Sequence, residues 1–181
     1  SRLAVTIDDG PNQDIWIADL GRGTVSRLTT DGKCYKPIWT PDGRRVTYSR
    51  RKGGRFCIAW KFADGSGPEE QLLESEYHPT PTSWSPDGKV LALMELRPAT
   101  GIDIALMPME GGRQPRPFLS TPCREGEAAF SPDGRWLAYD SDESGRLEVY
   151  VQPFPGPGPK WQISTDSGAE PHWSQDGKEL F

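Results

Sequence analysis

The chain has 181 residues, 26% of them charged and 34% hydrophobic, which is the balance of a soluble globular protein and excludes a disordered or membrane-spanning one. A formal net charge of -5 argues against a dedicated nucleic-acid binder, which needs a basic face. Gly 20 and Pro 18 together make up about a fifth of the residues, so turns are frequent, helices few, and the expected class is all-β.

In chain order, Leu3-Ala4-Val5-Thr6, Asp14-Ile15-Trp16-Ile17-Ala18 and Ser26-Arg27-Leu28-Thr29 read as three short strands. The motif Trp39-Thr40-Pro41-Asp42-Gly43 comes next and returns as Trp84-Ser85-Pro86-Asp87-Gly88, Phe130-Ser131-Pro132-Asp133-Gly134 and Trp173-Ser174-Gln175-Asp176-Gly177, at intervals of 45, 46 and 43 residues. In each copy proline fixes its own φ, aspartate bonds backbone amides further on, and glycine accepts a positive φ, which makes a tight hairpin turn. After each turn comes a second strand (Arg45-Val46-Thr47-Tyr48, Val90-Leu91-Ala92-Leu93, Trp136-Leu137-Ala138-Tyr139). A third strand succeeds it (Phe56-Cys57-Ile58-Ala59, Ile102-Asp103-Ile104-Ala105-Leu106, Leu147-Glu148-Val149-Tyr150-Val151), and then a weaker fourth (Gln71-Leu72-Leu73, Pro117-Phe118-Leu119, Trp161-Gln162-Ile163). A period in the forties built from four strands is that of a β-propeller blade, and about four blades of four antiparallel strands are expected. They divide as a part-blade at 1–30, blades at 37–74, 82–119 and 128–165, and a part-blade at 171–181, all in one propeller domain or fragment. His172-Trp173-Ser174 is available to complete the N-terminal blade, while open blade edges also leave room for a homo-oligomer.

With its Ser-Pro-Asp-Gly turns and Asp14-Ile15-Trp16 third strand, the chain resembles the TolB-like propeller repeats, relatives of the WD-repeat propellers, over nearly its whole length. The run from Phe130 to Tyr139, then Glu148 to Phe154 and Trp161 to Ser164, is similar to the propeller region found C-terminal to many bacterial serine/threonine protein kinases. The resemblance implies a bacterial propeller of about six or more blades used as a sensor or interaction module, as part of a larger protein. It implies a protein or peptide partner; no cofactor is expected, the compartment stays open between bacterial cytoplasm and periplasm, and the chain as given begins without a signal peptide and has no membrane-spanning run. Gln175 departs from the pattern by standing where the other turns have proline.

The motifs of catalysis are not found. A kinase needs a glycine-rich phosphate loop, a strand lysine and a His-Arg-Asp catalytic loop, and a serine hydrolase needs a Gly-x-Ser-x-Gly elbow. Cys34, Cys57 and Cys123 lie too far apart in sequence for a zinc or dithiol motif, and Cys57 reads as a core residue. Asp140, Asp142 and Ser144 match the first half of a calcium loop, but Val151 stands where the closing carboxylate belongs, so the segment reads as a hairpin. Asp8 to Asp14 reads likewise, Arg50 to Arg55 as a solvated basic tip, and Pro153 to Lys160 as an extended linker. What remains is the face where a fourth strand crosses to the next first strand, carrying Tyr35, Lys36, Glu76, Tyr77, His78, Arg124, Glu125, Glu127, Glu170 and His172. Such mixed acid, base and aromatic groups suit a peptide or polar ligand. The expected role is a non-catalytic interaction or sensing module, with a propeller-hosted hydrolase or lyase on the same face, or a self-assembling repeat array, as alternatives.

Overall fold

A computed structural model describes residues 1–156 and 158–181; Pro157, in the linker after the last long strand, lies outside the described residues. The described residues contain fifteen strands and no helix. The first three, β1 (Arg2–Asp8), β2 (Gln13–Asp19) and β3 (Thr24–Arg27), form one sheet in sequence order. A four-stranded sheet is then built from β4 (Cys34–Trp39), β5 (Arg45–Lys52), β6 (Arg55–Phe62) and β7 (Glu70–Ser75). The next comprises β8 (Thr80–Trp84), β9 (Val90–Arg97), β10 (Gly101–Pro108) and β11 (Arg116–Leu119). The last comprises β12 (Glu125–Phe130), β13 (Trp136–Ser141), β14 (Glu148–Pro153) and the two-residue β15 (Trp161–Gln162). Paired strands are antiparallel and consecutive throughout, the meander of a propeller blade.

Each hairpin between first and second strands is closed by one side-chain network. Thr40 Oγ1 donates to Asp42 Oδ1 (2.6 Å) and accepts from Arg45 N (3.1 Å), while Asp42 Oδ1 also accepts from Arg44 N (3.0 Å). Ser85 and Asp87 do the same with Lys89 N and Val90 N, and Ser131 and Asp133 with Arg135 N and Trp136 N. Ser174 and Asp176 repeat it around Lys178 N and Glu179 N despite Gln175 in the proline position. The hydroxyl thus joins the carboxylate to the start of the second strand, and the turn glycine, with φ between 64° and 70° in all four copies, lets the chain reverse inside that ring.

A second repeated device ties third strand to fourth. Asp14, Asp103 and Glu148 are buried at one position of the repeat. Each accepts a hydroxyl from beyond the fourth strand: Thr29 on Asp14 (2.6 Å), Ser120 on Asp103 (2.8 Å), and Ser164 on Glu148. Arginines offset the charges, Arg27 on Asp14, Arg97 at 3.7 Å from Asp103 and Arg146 at 2.6 Å from Glu148. The second repeat carries buried Cys57 at this position.

The chain divides into two compact units, residues 1–81 and 82–181. The first closes around Ile15, Ile17, Leu28, Val46, Tyr48 and Ala59, with Trp39 packed against them. In the second, Ile104, Ala128, Phe130, Leu137, Tyr139 and Tyr150 form the core, and Phe130 meets Phe154 edge-on at 4.9 Å. The first sheet has three strands, β1 to β3. At the C-terminus the fourth copy of the turn motif closes a hairpin between His172-Trp173-Ser174 and residues 179–181. The Ser174–Asp176 turn folds the chain back on itself there, and the segment's paired backbone groups are taken by that local partner.

The turn network has consequences for stability. Asp42→Ala and Asp87→Ala should each lower unfolding free energy by about 0.5–2 kcal/mol, as loss of a local amide cap does, which urea titration will measure; unchanged midpoints in both would refute the role of the ring. The same hydrogen bonds hold the turn carboxyls below the usual range, Asp133 to about 2 through Ser131 Oγ and then the Arg135 amide and guanidinium. Asp42 and Asp87 are lowered by the Thr40 and Ser85 hydroxyls first. Because the folded-state values lie below the unfolded one, this contribution is complete above about pH 4 and is lost as pH falls toward 2. Melting temperature should therefore drop over that interval, and less steeply in Asp133→Asn.

Candidate functional site

Antiparallel order puts the loop between second and third strands at the same end of a blade as the crossing to the next blade, and both turn hairpins at the other end. Four of the candidate residues, Lys36, His78, Glu127 and Glu170, enter the new blade in the left-handed region, with φ of 53°, 50°, 40° and 52°. None is glycine, so each position costs roughly 1–2 kcal/mol relative to ordinary backbone. At Lys36 and Glu127 the strand register shifts as well, between Tyr35 and Ile38 and between Gly126 and Ala129.

One repeat position of the second strand holds these bends. Thr6 Oγ1 accepts from Lys36 N (3.2 Å), Met94 Sδ from Glu127 N (3.2 Å) and Asp140 Oδ2 from Glu170 N (3.1 Å). Ser49, at the same position, instead donates its hydroxyl to Pro79 O (3.1 Å), one residue past His78. Backbone strain at four candidate residues is thus fixed by neighbouring strands, a condition that aims side chains reproducibly.

In the first unit the crossings build a groove of about 470 Å³. Tyr35 Oη and His78 Nε2 lie 2.7 Å apart with their rings stacked at 5.8 Å, and Phe56 meets the imidazole edge-on at 4.3 Å. Arg51 and Lys33 flank this aromatic floor, with the Arg51 guanidinium carbon 5.7 Å from the Phe56 ring centre. Asp8 borders the groove from the first blade, its carboxylate fixed by Gly10 N (2.9 Å) and Gln13 Nε2 (3.0 Å). Burial, then the positive charge of Arg51, push the His78 pKa below its ordinary value, while burial raises that of Tyr35. The pair is therefore neutral at physiological pH. Of the remaining candidates in this unit, Glu76 and Lys36 are exposed, and Tyr77, half-buried, donates its amide to Ser75 Oγ (3.1 Å).

In the second unit Arg124 bonds the fully buried Asp140, while its own amide donates to Asp142 Oδ1 (2.8 Å). Ser144 Oγ donates to Arg146 O (3.2 Å), so all three calcium-loop residues are engaged by protein groups, two of them by Arg124. Glu125 is buried, and burial raises its pKa against the hydrogen bonds from Thr121. His172, on the surface, pairs Nδ1 with Glu170 O at 2.8 Å. Among the described residues one further group of metal-capable side chains converges, Asp14, Asp31 and Cys34, within 4.8 Å. Arg27 and Arg50 already neutralise its carboxylates, and burial followed by the Asp31 hydrogen bond pushes the Cys34 thiol up to about 12, away from the thiolate a metal takes.

Phe56, Arg51, Lys33 and Asp8 are groove residues that sequence reasoning leaves out of the site, with Asp8 and Arg51 assigned to solvated loops. The signal for them lies in repeat alignment, since the loops after two successive second strands share an end with the crossings.

No protein-family profile matches the chain. It is 26% identical over 152 residues to the Tol-Pal system protein TolB of Bordetella pertussis, covering 83% of this chain and 34% of that protein. To an uncharacterised peptidase, YuxL, of Bacillus subtilis it is 22% identical over 185 residues, covering 79% of this chain and 28% of that one. The chain thus spans about a third of the curated relatives it matches. The crystal structure of TolB from Acinetobacter baumannii aligns with a TM-score of 0.83 at 22% identity, over 99% of this chain and 46% of the other. The fold is a TolB-like β-propeller fold, as the repeat motifs imply.

The Arg51 effect on His78 is directly measurable. In an NMR titration His78 should protonate below the ordinary histidine value, and Arg51→Gln should move its midpoint upward by removing the repelling charge; an unmoved midpoint would mean that the guanidinium does not face the ring.

Proposed function

We propose that this chain is a non-catalytic propeller module that binds a protein or peptide partner through the crossing ends of its repeats. It serves as a portion of a larger bacterial protein, TolB-like or of the kinase-associated sensor kind. The observation that carries this reading is the Tyr35–His78–Phe56 groove, a preformed aromatic floor with charged walls, on backbone held rigidly in an uncommon conformation. Aromatic anchors within a polar rim are the usual chemistry of peptide recognition. In the second unit Arg124, Glu127, Glu170 and His172 offer the corresponding crossing groups to the same kind of partner.

The alternative, a propeller-hosted hydrolase or lyase, takes its motive from the peptidase name of one relative. A hydrolytic triad requires a histidine placed between a nucleophile and a carboxylate. Here His78 Nε2 faces a tyrosine hydroxyl, and His172 Nδ1 faces a backbone carbonyl. Those partners support binding over acyl transfer.

Selection of a phage-displayed library of random dodecapeptides on the immobilised chain tests the reading. Enriched peptides should bind the wild type and lose about tenfold in affinity with Tyr35→Ala, the loss typical of one interface anchor. Failure to enrich any peptide over several rounds would count against a peptide-binding module. Turnover of a peptide or ester substrate that disappears in His78→Ala would replace it with the enzymatic reading.

A further inference from the structure

Resting on that reading, we infer that the groove of the first unit selects an acidic peptide: a carboxylate side chain seated between Arg51 and Lys33, beside an apolar ring laid on Phe56 and His78.

The cations of this region are not all used alike. In the basic hairpin formed by the end of β5 and the start of β6, Arg50 is taken by Asp31 (2.7 Å) and Glu69, and Arg55 reaches Glu74 at 3.4 Å. Arg51 is different. Among the described residues it has no carboxylate partner, and its guanidinium lies beside the Phe56 ring instead. Lys33, exposed and likewise without a carboxylate among the described residues, is joined to it through the backbone, Arg51 N donating to Lys33 O at 3.0 Å. Both line the groove. Two cations without carboxylate partners among the described residues are therefore carried on neighbouring, hydrogen-bonded backbone at the groove, in a chain whose net charge is -5.

The other wall sharpens the choice. Asp8 is the acid lining the groove and its carboxylate is already turned to Gly10 N and Gln13 Nε2, so it does not neutralise the pair. His78 adds no charge, since burial and Arg51 hold it neutral. The groove thus presents two positive charges against one negative, with an aromatic floor beneath the cations. A guanidinium lying over a ring face retains its in-plane donors for a bidentate carboxylate. Phe56, Tyr35 and His78 offer ring faces and edges to a neighbouring apolar residue. A free anion would use the cations alone and leave the floor empty; an acidic peptide uses both.

The test employs the whole chain and two fluorescein-labelled octapeptides, Ser-Gly-Asp-Glu-Phe-Asp-Gly-Ser and its amide counterpart with Asn and Gln in place of the acids, followed by fluorescence polarisation. The acidic peptide should bind at least tenfold more tightly, with affinity that falls between 50 and 300 mM salt. Arg51→Gln should abolish most of that preference while leaving the melting temperature unchanged, and Phe56→Ala should weaken both peptides. Inorganic phosphate and acetate, added as competitors at equal concentration, should displace the peptide only weakly.

Equal binding of the two peptides, or an acidic preference that survives Arg51→Gln together with Lys33→Gln, would overturn the charge assignment while leaving a peptide-binding module intact. Displacement by phosphate at concentrations matching the peptide would show an anion site that ignores the floor, and would overturn it too. If neither octapeptide binds although phage-selected peptides do, and those lack acids, the inference fails and the broader reading stands. If no peptide of any kind binds, the module reading fails with it.

Discussion

The ring joining a Ser or Thr hydroxyl, an Asp carboxylate and the first amides of the second strand is the interaction on which the fold depends. A two-stranded hairpin is marginal by itself in water, and each repeat that carries a first strand has one to close. In Thr40–Asp42, Ser85–Asp87, Ser131–Asp133 and Ser174–Asp176 the hydroxyl donates to the acid and accepts from the strand, so one small side chain closes the turn from both directions. The Gln175 copy is informative. Proline presets the turn, but the ring forms without it, so the hydroxyl–carboxylate pair is the part that the geometry requires.

From that fixed turn the rest of each repeat is set by register. The second strand leaves the ring in phase, and three residues along from Leu3, Val46, Leu91 or Leu137 it offers a side chain to the next repeat's crossing: Thr6, Ser49, Met94 or Asp140. Hydroxyl, thioether and carboxylate all serve, because the task is only to accept from or donate to one backbone group. The third strand then buries an acid that a hydroxyl from beyond the fourth strand satisfies. Burying a carboxylate without such partners would cost several kcal/mol. Where the second repeat lacks the acid it has a thiol, which needs none of them.

This division explains what is legible in the sequence. The period, the turn and the strands are readable because each is a local consequence of residue type: proline, aspartate and glycine in order, then alternating apolar residues. Tyr35, His78 and Arg124 can be placed at crossings for the same reason, since a crossing is simply the segment that leaves a fourth strand. The groove is not readable. Asp8 and Arg51 belong to different repeats, and periodicity says where each lies in its own blade without saying that the two loops flank one cavity. The hairpin at residues 172–181 is readable for the same reason as the others: it is the fourth copy of the turn motif, closed by Ser174 and Asp176.

The two ends of a blade therefore have different chemistry for a physical reason. At the turn end, polar side chains are spent on their own backbone, and the carboxyls are held ionised by those bonds, leaving little to offer a partner. At the crossing end, the backbone is bent into the left-handed region and held there from the neighbouring strand, so side chains project from rigid positions without being consumed by the bend itself. A partner meeting that end gives up solvation but need not order the protein, which reduces the entropic cost of association. In an acidic chain, a pair of cations without carboxylate partners above an aromatic floor at this end also draws an acidic segment to one location, while the remaining surface repels it. Specificity then arises as much from that repulsion elsewhere as from attraction in the groove.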